Sequence, residues 1–226
     1  MKKLVFGLIA TVLFINVTFS QSPENPKNDF DYLGVIHNEV LKEFFKKNNT
    51  PNMSIEEILK NIAPIILENE NYSSRFGKEY NSITVEQIKE YMPDIANNFN
   101  TLVDDQKISN EAKSYLKELL NGLEGATDYS KVYDNIILIE QKVNQSKLSN
   151  SEKEKISGIS SIARYSSYLW LVENPRPTFS NSLSARWRWW SIVADVAGGI
   201  LGAPTLAGIA AGAAGSSAVS EAISTK

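Results

Sequence analysis

The sequence predicts an all-α protein, a bundle of about six helices followed by a helical hairpin rich in glycine and alanine. Three observations predict this fold. Apolar residues recur at helical spacing from residue 31 to residue 174, helix-start motifs precede several of these stretches, and no two alternating patterns are joined by a hairpin turn. Because the 226 residues include no cysteine, a packed core rather than disulfides must stabilise the fold.

Residues 1–20 have the layout of a cleaved secretory signal peptide. Two lysines precede an apolar run from Leu4 to Val17, about 14 residues and thus shorter than the roughly 20 that cross a bilayer. We expect cleavage after Ser20, with an uncleaved membrane anchor as the alternative. Since lipid anchoring of an exported protein needs a cysteine, the sequence predicts a periplasmic or extracellular protein that is not a lipoprotein.

The polar residues 21–30 follow the signal peptide and include Pro23 and Pro26. This composition predicts a flexible mature N-terminus. The formal charge of the whole chain is −3, and about −5 once the signal peptide is removed. A net negative charge argues against a nucleic-acid partner, because such proteins usually carry a basic face.

A helical domain is predicted for residues 31–174. Its first apolar stripe repeats at helical intervals, and three capping boxes, in which a Ser or Thr is followed three residues later by Glu or Gln, predict later helix starts. The stripe comprises Leu33, Ile36, Val40, Leu41 and Phe44, and the capping boxes are Ser54/Glu57, Thr84/Gln87 and Ser149/Glu152.

Other features of this domain leave alternatives open. Pro64 and Pro93 lie within helical patterns and should kink or end them. Tyr129–Gln145 is rich in β-branched residues, but its length favours a helix. Ser109 and Ser149 begin similar stretches 40 residues apart, which indicates either a repeated helical hairpin or the shared chemistry of helix caps.

The composition changes after residue 174. Residues 175–184 form a linker rich in proline and serine, and residues 185–226 form the tail. The tail begins with a cluster of aromatic and basic residues, which suits a membrane headgroup region because Trp prefers that region and Arg is attracted to anionic lipid. The cluster comprises Arg186, Trp187, Arg188, Trp189 and Trp190.

Small residues then recur every four positions along the tail. Gly198 and Gly202 share one helix face, Gly208 and Gly212 share another, and Pro204 divides the two. We therefore expect helices over about 191–202 and 205–220, paired through a glycine zipper of the kind that membrane helices use. Since glycine costs about 1 kcal/mol relative to alanine within a helix, six glycines in this stretch require compensating packing.

Two uses of the tail remain open from the sequence. It could associate with a lipid bilayer, or it could pack on its own body or on another copy of the chain; the remaining alternative is a tail that is disordered or processed. The two arginines precede the apolar run on an exported chain, which favours surface association or insertion from outside over ordinary integration.

The sequence does not contain the common catalytic signatures. His37 is the only histidine, so no zinc cluster of histidine and cysteine is available, and neither a Gly-x-Ser-x-Gly motif nor a phosphate-binding loop occurs. We therefore expect a non-enzymatic protein with neither a cofactor nor a small-molecule substrate. An activity based on carboxylates alone stays open.

The segment Ala194-Asp195-Val196-Ala197-Gly198-Gly199, with the glycine steps that follow, resembles class II bacteriocin-like peptides, whose short glycine-zippered cores act on membranes. With His37-Asn38-Glu39 near the start of the helical domain, the chain as a whole resembles a loosely defined group of exported bacterial helical proteins with such a tail. The resemblance to bacteriocins covers about 30 residues. It implies a secreted, membrane-associated protein that acts in a bacteriocin-like or toxin-like way.

Overall fold

The computed structural model describes residues 21–48, 53–81, 83–125, 127–173 and 184–224. The predicted all-α fold is confirmed, since the described residues form α-helices and no strand. The helices are α1 (Tyr32–Lys47), α2 (Ile55–Glu68), α3 (Glu70–Phe76), α4 (Val85–Tyr91), α5 (Ile95–Asp104), α6 (Asn110–Leu123), α7 (Tyr129–Gln145), α8 (Asn150–Tyr168), α9 (Ser184–Leu201) and α10 (Leu206–Ser224). A 3₁₀ turn (Met92–Asp94) joins α4 to α5, and a π-helical turn (Leu169–Glu173) extends α8.

Within the described residues, eight helices precede the hairpin rather than about six. One extra helix arises at Asn69, whose side chain accepts a hydrogen bond from the backbone N–H of Tyr72 and so starts α3 directly after α2. The other arises at Pro93, which lies in the 3₁₀ turn that separates α4 from α5. Pro64, by contrast, does not end α2, which continues to Glu68.

All three predicted capping boxes are present at the starts of α2, α4 and α8. Glu152 of the α8 capping box makes one more hydrogen bond to a backbone N–H than the sequence predicts. Glu152 accepts a hydrogen bond from the backbone N–H of Ser149, at 3.2 Å, and another from the backbone N–H of Ser109, at 2.7 Å. The two similar helix starts therefore lie side by side and share one carboxylate, which holds the beginnings of α6 and α8 together.

The hairpin of α9 and α10 lies at the centre of the molecule. Residues 191–200 and 207–219 are all buried, and the hairpin packs against α1, α2, α5 and α8. Most outer helices bury one apolar face, for example Ile58, Ile62 and Ile66 of α2, whereas α8 is buried on all sides from residue 158 to residue 167. The outer helices thus enclose two helices that have no polar face of their own, as expected for helices that are apolar all round.

Residues 21–31 differ from the prediction of a flexible mature N-terminus. Pro23 and Asn28 are buried, and the side chain of Asn28 donates hydrogen bonds to Glu140 Oε1 and to the Ser157 carbonyl, at 2.7 and 3.0 Å. The segment forms two Asx turns, in which Asn25 Oδ1 accepts from the Lys27 N–H and Asn28 Oδ1 accepts from the Phe30 N–H. These two turns, rather than the prolines, fix the backbone conformation of the segment.

Candidate functional site: the buried glycine hairpin

The four glycines predicted to pair helices do lie against one another. A Cβ atom added at Gly202 would lie 1.9 Å from the carbonyl oxygen of Gly208, and one added at Gly198 would lie 2.3 Å from the carbonyl oxygen of Gly212. Neither distance is compatible with a side chain, so α9 and α10 meet backbone against backbone. Ser216 Oγ adds a hydrogen bond to the carbonyl of Ala194 across the same interface, at 2.7 Å.

The aromatic and basic cluster lies at the start of α9. The side chains of Arg188, Trp189 and Trp190 are half-buried, and the two tryptophans pack against the core with their rings 6.3 Å apart. The side chains of Arg186 and Trp187 lie outside the described residues. The described part of the cluster therefore lies where the hairpin meets the surface.

Asp195 is the one charged residue in the buried part of α9, and it lies in a cluster of polar groups. Its Oδ2 accepts hydrogen bonds from Ser166 Oγ at 2.5 Å and from Trp170 Nε1 at 3.1 Å, and His37 Nε2 lies 3.3 Å away. All four side chains are completely buried. The contacts hold α9 to α1, to α8 and to the π-helical turn.

This polar cluster is incompletely paired within the described residues. Asp195 Oδ1 has no hydrogen-bond partner there, and His37 Nε2 is outside hydrogen-bonding geometry despite its short distance to Asp195. Unpaired polar atoms in a core reduce stability, by about 1–3 kcal/mol for each group. The hydrogen bonds from Ser166 and Trp170 therefore hold the hairpin in place, and the two unpaired atoms offset part of the stability that these bonds contribute.

A second buried cluster attaches the N-terminal segment to the bundle. The guanidinium of Arg164 donates to Asp31, to Glu140 Oε1 at 3.1 Å and to the carbonyl oxygen of Pro23. Burial alone would lower the pKa of Arg164, but the carboxylates of Glu140 and Asp31 raise it. Burial raises the pKa of Glu140, although the charge of Arg164 and the amides of Asn25 and Asn28 oppose that shift. This cluster makes residues 21–31 part of the folded body.

Sequence reasoning missed most of the groups that hold the hairpin. It named Asp195 only within the bacteriocin-like segment and His37 only as the lone histidine and as part of His37-Asn38-Glu39, and it did not single out Ser166 or Trp170. The signal that could have found them is the position of each polar residue on the apolar face of its helix, because a polar residue there usually has a buried partner.

Two further observations bear on what this site can do. In the described part of the chain, no group of three or more His, Asp or Glu side chains could hold a metal ion. Among the same residues, no helix combines the length and the apolar character needed to cross a membrane. Comparison with known proteins gives no family model, no curated protein and no solved structure that significantly matches the chain.

Proposed function

We propose that this chain is an exported, non-enzymatic helical protein that keeps a glycine-zipper hairpin in its core and uses it, once released, to associate with membranes. This would be a bacteriocin-like or toxin-like role. The observation that supports it best is the way α9 and α10 pair with each other.

The two helices pair through backbone contacts at Gly198–Gly212 and Gly202–Gly208. Such pairing depends on close van der Waals packing rather than on the exclusion of water, so it persists equally well in a protein core and in lipid. The hairpin can therefore change its surroundings as one unit without losing its internal contacts.

The enclosure of the hairpin supports the same proposal. From residue 191 to residue 219 the hairpin presents buried apolar and small side chains to the outer helices, and Asp195 is its only charge there. Outside the bundle this surface would need another apolar environment. Because the hairpin has no polar face, we propose that it inserts into the bilayer from outside, with the half-buried Trp189 and Trp190 at the level of the headgroups.

The second candidate is a periplasmic or extracellular interaction module whose tail is a permanent part of its body. The burial of the hairpin against four outer helices favours it, as does the attachment of Asp195 to α1 and α8. In this case the glycine zipper serves only to fit two helices into a narrow core.

The two candidates differ in how the protein behaves beside lipid. The mature chain is mixed with vesicles of anionic or of zwitterionic phospholipid, release of an entrapped dye is measured, and brominated lipids report quenching of tryptophan. The membrane role predicts leakage and quenching with anionic vesicles, and it predicts an increase in both for Ser166→Ala, which weakens the attachment of Asp195.

Ile139→Ala is the matched control for general loss of stability. Ile139 is buried on α7, which packs on α6 and α8. If the hairpin is released as a unit, Ser166→Ala promotes leakage more than Ile139→Ala at equal loss of thermal stability. Absence of binding and leakage for the mature chain and for both variants would contradict the membrane role and leave the interaction module.

A further inference from the structure

The hydrogen bonds of Asn38 determine which nitrogen of the His37 ring carries a proton. Asn38 Nδ2 donates to the carbonyl of Tyr165 at 2.9 Å, and the side-chain oxygen of Asn38 lies 2.9 Å from His37 Nδ1. Because an amide oxygen can only accept, Nδ1 is the donor in this contact. In a neutral ring that carries its proton on Nδ1, the other nitrogen, Nε2, has a lone pair.

That lone pair would face a carboxylate. His37 Nε2 lies 3.3 Å from Asp195 Oδ2, and both side chains are completely buried. Two acceptors at this distance repel each other, and the low dielectric of a core strengthens the repulsion. The contact is therefore favourable only if the pair holds one more proton, either on His37 Nε2 or on the carboxyl group of Asp195.

The contacts of Asp195 favour the proton on the histidine. Its Oδ2 accepts from Ser166 Oγ at 2.5 Å, a distance within the range of O–H hydrogen bonds to an ionised carboxylate, about 2.5–2.7 Å. Trp170 Nε1 donates to the same oxygen. The other oxygen, Oδ1, has no partner among the described residues that could accept a proton from it. A buried carboxylate in turn requires a partner of opposite charge.

No other cation takes the place of His37 beside Asp195 in the described part of the chain. The buried guanidinium of Arg164 on α8 pairs with Glu140 and Asp31. The remaining charged side chains whose burial is described on α1, α2, α3, α5, α6, α8, α9 and the π-helical turn are exposed or half-buried, and α10 has none from residue 206 to residue 220. The buried tyrosines of helices that pack on α1 donate their hydroxyls to other groups, and these are Tyr72 and Tyr165.

We propose that His37 and Asp195 form a buried imidazolium–carboxylate pair, so that the attachment of α9 to α1 contains a proton that the chain takes up as it folds. Loss of this proton from His37 Nε2 in alkali restores the repulsion between the two side chains. The attachment of the hairpin is therefore sensitive to pH. The proposal is independent of membrane association, because it concerns the folded protein in water.

The chain contains one histidine, so the charge of His37 can be measured without assignment of other rings. In ¹⁵N spectra an imidazolium gives two ring-nitrogen shifts that are nearly equal, whereas a neutral ring gives two that are widely separated. We expect the imidazolium pattern for the mature chain at about pH 7.5, above the ordinary histidine value of about 6.5. A neutral ring at this pH would overturn the proposal whether or not any variant folds.

Two variants separate the charge of Asp195 from its hydrogen bonds. Asp195→Asn removes the carboxylate and should make the His37 ring neutral at about pH 7.5. Ser166→Ala removes a donor to Asp195 but keeps the carboxylate, so the ring should stay charged. An imidazolium that persists in Asp195→Asn would show that Asp195 is not its counterion.

The pH dependence of stability is a second measurement. Above about pH 6.5 an unfolded histidine is largely neutral, so a folded protein that keeps the proton loses stability as the pH rises. For one proton, the unfolding constant increases by up to about tenfold per pH unit. Urea unfolding should show this increase for the mature chain relative to His37→Gln, and equal pH dependence of the two would contradict the proposal. Neither result depends on leakage of vesicles.

Discussion

His37 on α1 and Asp195 on α9 face each other in the centre of the core, with 3.3 Å between Nε2 and Oδ2 and no exposure of either side chain. The other ring nitrogen of His37 lies 2.9 Å from Asn38 Oδ1, and Asn38 Nδ2 donates to the carbonyl of Tyr165. A continuous line of polar contacts therefore runs from α9 through α1 to α8. In an otherwise aliphatic core, it fixes the position of the hairpin along those two helices.

Replacing Asp195 by alanine should destabilise the protein strongly. The change leaves Ser166 Oγ and Trp170 Nε1 buried without their acceptor, and each buried donor left unpaired costs about 1–3 kcal/mol. Urea unfolding of the mature chain measures the loss. Asp195→Asn, which keeps an acceptor oxygen of the same shape, should lose less than Asp195→Ala. If Asp195→Ala and Asp195→Asn lose the same free energy of unfolding, an acceptor oxygen of this shape does not contribute to the stability of the cluster.

Gly202→Ala should lower stability in water although alanine favours helix. The new Cβ would lie 1.9 Å from the carbonyl oxygen of Gly208, and since backbone must shift to admit it, we expect a loss of about 1–3 kcal/mol. Gly122→Ala is the matched control, because a Cβ there meets nothing closer than 3.5 Å and should gain up to about 1 kcal/mol. Thermal unfolding compares the two. A neutral Gly202→Ala would contradict the backbone contact between α9 and α10.

Arg164→Met should detach the N-terminal segment. The change leaves Asp31 and Glu140 without their shared cation, and we expect a loss of about 3–5 kcal/mol. Hydrogen exchange should become faster at residues 25–31, whose backbone is turned back by Asn25 and Asn28. Adding Glu140→Gln to Arg164→Met should recover part of the loss, since it removes one of the unpaired charges. Unchanged exchange at residues 25–31 in Arg164→Met would show that this cluster does not hold the segment.

Protonation of Glu152 in acid should lower the stability of the fold. Hydrogen bonds from the backbone N–H of Ser109 and then from the hydroxyl of Ser149 are the main causes that lower its pKa from 4.5 to about 2 in the folded protein. A carboxyl group whose folded pKa is depressed stabilises the fold above its unfolded pKa, and this contribution is lost as the pH falls through the folded value. The stability difference between the mature chain and Glu152→Gln should therefore be largest near neutral pH and shrink as the pH falls from about 4.5 towards 2.

Glu154→Gln is the control for this pH effect. It makes the same change of charge on the same helix, but Glu154 is exposed and does not cap α6 or α8. Urea midpoints measured at several pH values compare the two variants. A difference for Glu152→Gln that does not vary with pH would show that the shared cap does not depend on ionisation.

The local features of the fold could be predicted from sequence because their causes are local. The capping box of Ser54 and Glu57 needs only four consecutive residues, and Tyr129–Gln145 is long enough to be recognised as a helix. The division of the tail at Pro204 follows from the chemistry of proline, and the structure ends α9 at Leu201 and begins α10 at Leu206.

The surroundings of the hairpin could not be predicted in this way. Small residues at intervals of four show that α9 and α10 can approach closely, but the same pattern suits lipid, another copy and the chain's own core. What places the hairpin in the core is contact between distant residues, such as Asp195 with Ser166 and His37, and one sequence gives no record of such contacts. The N-terminal segment is a similar case, because Arg164, which holds it, lies more than 130 residues away along the chain.

The order of the helices along the chain has a consequence for how this protein is made. The eight helices described ahead of the hairpin are synthesised before α9 and α10, and among them α1 and α7 can already pack on α8. The surface on which α2 and α5 pack, by contrast, is supplied largely by the last two helices, so a nascent chain that has completed α8 still exposes the apolar faces of α2 and α5. The bundle therefore closes only after residue 219 has been added, and a partly folded chain that exposes such faces is prone to aggregate.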